Sequence, residues 1–325
     1  MGSGRWDDEH YKTAKSHRAT SGIDDFHYSK TTHAAPAHLR KVHESLDPKL
    51  IKGVREARDS DEHPETVPVA VLFDVTGSMH MIPRTFQEKL PKLMTVLTTQ
   101  GGLAHPQVLF GAIGDATCDQ FPFQVGQFES DNRCDEQLRN IILEGGGGGQ
   151  IHESYELAYY FAGRKTELDS VTKRGKKGYL FTLGDEAYYS RVPKEIIEKV
   201  FGDTVQEDLT VKELLTEALE KFEVYHIHVQ EGSYRDHADV LKHWRSILHE
   251  RFILLEKSEL VCETIAAAVA LLEGADFKDV THDLGVSHAD AKIVETALAK
   301  VASSVPAKMA SGTLPAATKA TGKKI

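Results

Sequence analysis

The stretch that most constrains the fold of this chain is Val67-Pro68-Val69-Ala70-Val71-Leu72-Phe73. A continuous apolar, β-branched run has no polar face to offer solvent. Both of its sides must be covered, as in a central strand of a parallel sheet. Downstream, Phe86, Leu90, Leu93, Met94 and Leu97 fall on one face of a helix over 86–99, with Pro91 predicting a kink or break and Gly101-Gly102 ending it. Strands are expected at 107–113 and 121–128, the latter an edge strand because it carries Pro122. The pattern continues with helices at 135–143 and 153–163, a buried strand at 177–183, and helices at 194–200 and 211–222. It closes with a strand at 223–229, a helix at 237–249, a strand at 252–255 and a helix at 258–272. Strands alternating with helices at this spacing predict a doubly wound, mainly parallel α/β sheet with helices on both faces and one antiparallel edge strand.

Four segments are expected. Residues 1–65 are polar and rich in His, with Pro36, Pro48 and Pro64 breaking any long helix. They read as an extension that is disordered alone or drapes over the domain, with short helical pieces within 38–58. Its histidines (His10, His17, His27, His33, His38, His43 and His63) lack the spacing that puts three imidazoles on one helical face, and they read as solvated. The α/β domain itself occupies 66–273, an appended helical segment 274–301, and a basic, flexible tail 302–325.

The chemistry is concentrated where the first strand ends, in Asp74-Val75-Thr76-Gly77-Ser78-Met79. One carboxylate and two hydroxyls stand at alternate positions of a strand-to-helix turn, so Asp74, Thr76 and Ser78 can aim oxygens at a common centre. An all-oxygen set suits a hard cation, Mg2+ (or Mn2+) above all. Taken singly, each of these residues is an ordinary helix cap.

The element DVTGSM resembles the metal-ion-dependent adhesion motif of von Willebrand factor A domains, with Thr76 keeping the hydroxyl of the usual first Ser. With the GDAT loop, a polyglycine run followed by ESYELA, and FTLGDE, the chain is most similar to stand-alone bacterial or phage-encoded members over about 67–272. The resemblance implies that Asp185, after the strand ending in Gly184, contacts the cation directly or through water, with Glu186 a second choice. The family's loop Thr is missing after Gly145–Gly149. Glu153 is the first replacement, with Ser154 and Gln150 behind it. Asp115 is either a further ligand or an outer carboxylate. The family's mode of action would be a non-catalytic adaptor whose ion grips a carboxylate on a protein partner, possible partners including an AAA+ ATPase or a larger assembly.

Other functional classes fit less well. A net charge of −10 argues against a nucleic-acid surface. No run is long and apolar enough to span a membrane, and residues 1–10 carry no signal-peptide core, so a cytoplasmic protein is expected. Three cysteines without metal-ligand spacing read as reduced thiols. The polyglycine run lacks the Lys-Ser/Thr of a phosphate loop. A Mg2+-dependent phosphohydrolase is the enzymatic alternative, weakened because Thr76 stands where a second Asp would serve as acid and base. A third reading is a structural assembly protein with a vestigial metal site. His226 and His228, on one face of a strand, read as packed histidines.

Overall fold

The computed structural model describes residues 4–304 apart from 51–53, 100–101, 146–150 and 283. Its central sheet has six strands: β1 (Val67–Asp74), β2 (Pro106–Ile113), β3 (Phe123–Val125), β4 (Gly178–Gly184), β5 (Phe222–Val229) and β6 (Phe252–Leu255). Their spatial order is β6-β5-β4-β1-β2-β3, parallel throughout except for β3, which runs antiparallel at the edge. The doubly wound sheet is therefore as the sequence predicts. Every residue of β1 is buried. Val69, Val71 and Phe73 enter the core on one face, while Ala70 and Leu72 enter the core on the other. That division is why the run is apolar without alternation.

One face is covered by a helix over Met81–Thr99 and by Val261–Leu272. The latter is buried along almost its whole length, its small alanines letting it lie close to its neighbours. The opposite face carries Glu156–Arg164, Lys194–Phe201, Val211–Lys221 and Ala238–Leu248. Among the described residues no helix is long and apolar enough to cross a membrane.

Three expectations are corrected. Pro91 does not break its helix, which runs from Met81 to Thr99. Proline has no N–H to give the carbonyl four residues back, that of Gln87. Here the Tyr11 hydroxyl reaches that carbonyl, and Lys15 Nζ donates to it at 3.2 Å. Both donors come from the N-terminal segment, which forms helices at Asp8–Thr20 and His27–Ala34 in addition to the short 3-10 turn Pro48–Leu50 expected within 38–58. Tyr11, Phe26 and Leu46 are buried, so this segment is part of the packed body. Nor are its histidines all solvated. His63 is buried against His105, and His33 Nε2 lies 2.8 Å from the Leu143 carbonyl. Finally, the appended segment forms Phe277–His282 and His288–Ser304, so its last helix passes the expected boundary at 301. The remainder of the tail, 305–325, lies outside the described residues.

Candidate metal centre

Strands laid first to one side of β1 and then, from β4, to the other leave a crevice between the carboxyl ends of β1 and β4. Such a switch point is where open α/β sheets bind ligands. Asp74 closes β1 there and is wholly buried. Its Oδ1 accepts hydrogen bonds from the Thr76 backbone N at 2.7 Å and from Thr76 Oγ1 at 2.6 Å. This local turn holds the carboxylate still and leaves Oδ2 pointing onward. Beyond β4, Asp185 and Glu186 follow Gly184. One oxygen each of Asp74, Asp185 and Glu186 lie within 4.8 Å of one another.

Neighbouring loops set these groups in place. Asp185 Oδ2 accepts from the Tyr234 backbone N at 2.7 Å, tying it to the loop after β5. Trp244 Nε1 donates to the Glu186 carbonyl at 2.7 Å and fixes the base of that side chain. Glu153 arrives through a two-residue parallel pairing of His152–Glu153 with Ala187–Tyr188, which sets its carboxyl near that of Glu186.

Asp74 Oδ2, Glu153 Oε2, Glu186 Oε2 and the Tyr155 hydroxyl are all buried without a hydrogen-bond partner. Burial is the main influence on the acids. It pushes Asp74 up to about 7 against the two hydrogen bonds from Thr76, with Asp185 and Asp119 adding to the rise. Glu186 is pushed up to about 8, by burial and then by Asp74. Glu153 is raised further still, by burial, Asp74 and Glu186. Unpaired buried carboxylate oxygens are costly unless something positive meets them. The donor set, all hard oxygen, fits a divalent cation of the Mg2+, Mn2+ or Ca2+ kind.

Of the residues expected at the site, Asp74, Thr76 and Asp185 converge, and Glu153 lies near Glu186 but outside the close trio. The backbone of Ser78 lies in the short turn Gly77–Met79. Its side chain and all of Gln150 lie outside the described residues. Ser154 serves the scaffold: its Oγ accepts from the Ala116 backbone N at 3.0 Å. Asp115 is outside the close trio. Its Oδ1 accepts from the Thr117 backbone N at 2.8 Å and its Oδ2 from the Tyr189 hydroxyl at 3.0 Å, which makes it an organiser of the loop after β2. Glu186, the second choice in sequence, belongs to the trio. Tyr155 was not expected at all, since nothing in ESYELA separates a core tyrosine from one at a site. His226 and His228 are buried as predicted, with His226 stacked on Trp244 at 3.6 Å between ring centroids.

Gly184 is the floor of the crevice. A Cβ there would collide with the Tyr155 hydroxyl and come within 3.1 Å of the Asp74 Cβ. Gly184→Ala is therefore expected to cost about 1–3 kcal/mol as overpacking. Denaturant unfolding checks this, and a midpoint equal to wild type would mean that Tyr155 moves aside freely.

The fold and the crevice define a doubly wound α/β protein with a buried acidic cluster at its switch point. No protein-family model matches the sequence, and no curated protein does either. Among solved structures, the chain is similar to the pilus adhesin SpaC from Lactobacillus rhamnosus GG in its open conformation, at 10% identity and a TM-score of 0.45. That match covers 67% of this chain and 31% of the adhesin. It is also similar to proximal thread matrix protein 1 from the mussel byssus, at 12% identity and a TM-score of 0.38, covering 66% of this chain and 48% of that one. The chain thus spans less than half of either protein, and the likeness concerns the fold alone.

Proposed function

We propose that this chain is a cation-dependent protein-binding module of the von Willebrand factor A type, with Asp74, Thr76, Asp185, Glu186 and Glu153 holding a Mg2+ or Mn2+ ion. The observation that carries this reading is the set of three buried carboxylate oxygens, on Asp74, Glu153 and Glu186, that no protein donor meets. A bound divalent ion would supply the positive charge these oxygens lack and tie the strand-end loops to one point. Thr76, its proton committed to Asp74 Oδ1, keeps lone pairs for the ion. The loops after β1, β2 and β4 would then form the binding surface, held in a shape that the free acids oppose by mutual repulsion.

Asp74→Asn tests this with opposite effects on binding and stability. In the metal-free protein the folded-state pKa of Asp74, about 7, exceeds that of an unfolded Asp, about 3.9. Its contribution is thus fully present below about pH 4 and is lost as pH rises through about 7. Burial of His226 and His228 lowers their proton affinity in both proteins and largely cancels in the comparison. Without metal, the Asn variant should come close to wild type at pH 4 and melt several degrees higher at pH 8. With Mg2+ at roughly 100 times Kd, wild type at pH 8 should gain about 2.7 kcal/mol and the variant nothing. Equal responses of the two proteins to Mg2+ would remove Asp74 from any cation site.

A further inference from the structure

The adhesion motif that this site resembles leaves the ion a position for an acidic group from the partner. The cluster here has a different balance. Asp74, Asp185 and Glu186 bring their oxygens together, and Glu153, where the resemblance would place a neutral Thr, adds a fourth carboxylate against Glu186. All four side chains are at least nine-tenths buried, and Oε2 of Glu153, Oε2 of Glu186 and Oδ2 of Asp74 have no other partner to satisfy. Four carboxylates around one divalent ion leave the site negative. Asp119, an influence on both Asp74 and Glu153, adds to that field from the loop after β2. In a dry site two like charges a few ångströms apart repel strongly, so an entering carboxylate meets an opposing field.

Resting on the cation reading above, we infer that the ion in this protein is closed to acidic ligands: Glu153, standing in place of the neutral Thr, adds the negative charge that repels a partner's carboxylate, so the ion shapes the strand-end loops and the partner is recognised through neutral or basic groups. The acidic balance of the whole chain, −10, favours the same kind of partner. Glu153 thereby acts as a built-in charge that decides specificity.

Tb3+ serves as the probe, because Tyr155 and Trp244 lie beside the cluster and can sensitise its emission. The full chain would be titrated with up to one equivalent of Tb3+, and the emission lifetime measured with increasing acetate. The expected result is sensitised emission that saturates at one equivalent, disappears in Asp74→Asn, and has a lifetime unchanged by acetate. Glu153→Ala should still bind Tb3+, with a shorter lifetime from added water and a lengthening as acetate displaces that water. Wild-type emission whose lifetime lengthens with acetate would overturn the inference and leave the cation site standing. Absence of any saturable emission that depends on Asp74 would overturn the cation reading and this inference with it. The wild-type acetate titration is decisive even if Glu153→Ala folds poorly.

Discussion

Replacing Trp244 by alanine is expected to destabilise the protein by about 3–5 kcal/mol, the range for deleting a large aromatic side chain from a close-packed core. Trp244 is completely buried. Its ring lies parallel to that of His226 and meets Tyr155 and Tyr188 edge-on, with centroids 5.2 and 4.9 Å away. The loss should reach the candidate metal centre, because the indole N–H holds the Glu186 carbonyl and Tyr155 packs against Gly184 at the floor of the crevice. Trp244→Phe separates the two roles. It keeps most of the packing and strands a carbonyl, at a cost of about 1–3 kcal/mol. Its response to Mg2+ should fall by more than its stability does. Chemical denaturation with and without Mg2+ measures both quantities. A Phe variant with full Mg2+ stabilisation would show that Glu186 needs no anchor from the helix over Ala238–Leu248.

Arg18→Ala is expected to cost about 3 kcal/mol or more, because removing one partner of a buried ion pair leaves the other charge uncompensated. Arg18 is 6% exposed, and its Nη1 donates to Asp135 Oδ2 at 3.1 Å while its Nε donates to Asp25 Oδ1 at 2.9 Å. Asp135 Oδ1 also accepts from Gln87 Nε2 at 2.6 Å, and the Tyr11 hydroxyl sits between the two oxygens of Gln87. One network thus joins the N-terminal helix to the helix that contains Pro91. In Arg18→Ala the N-terminal segment should open below the global transition and become sensitive to protease at 8–34. Arg18→Ala combined with Asp135→Asn should recover part of the loss, since the stranded charge is gone. A double variant no more stable than the single would place the energy in packing by the Arg18 stem instead.

The response to Mg2+ and the pH-dependent gain of Asp74→Asn bear on function more directly than either of these variants. They probe charge at the crevice, whereas Trp244 and Arg18 probe the scaffold that aims it.

Much of this architecture is legible in the residues themselves. The unbroken apolar run of β1, its turn into Asp74-Val75-Thr76, and the strand ending before Asp185 have a local physical cause. A strand covered on both faces needs apolar residues throughout, and a parallel strand delivers the following loop to the ligand-binding edge. The edge position of β3 was equally visible, through Pro122 beside it.

What tertiary structure decided was everything that depends on distant residues meeting. The N-terminal segment has weak amphipathicity and reads as polar. Its helices persist because Tyr11 meets a carbonyl freed by Pro91, and Arg18 meets a buried acid far along the chain. The same contacts explain why Pro91 does not end its helix. At the candidate metal centre, the resemblance ranks Glu186 below Asp185, because Asp185 fits the loop position of the family's Asp. The chain turns after Gly184, and the pairing with His152–Glu153 brings Glu186 and Glu153 together. Local sequence thus determined which strands are central and where their ends carry oxygen ligands, because burial and backbone direction are written in neighbouring side chains. The folded chain alone decided which acids share one buried space, because that is set by loops crossing between strands far apart in sequence.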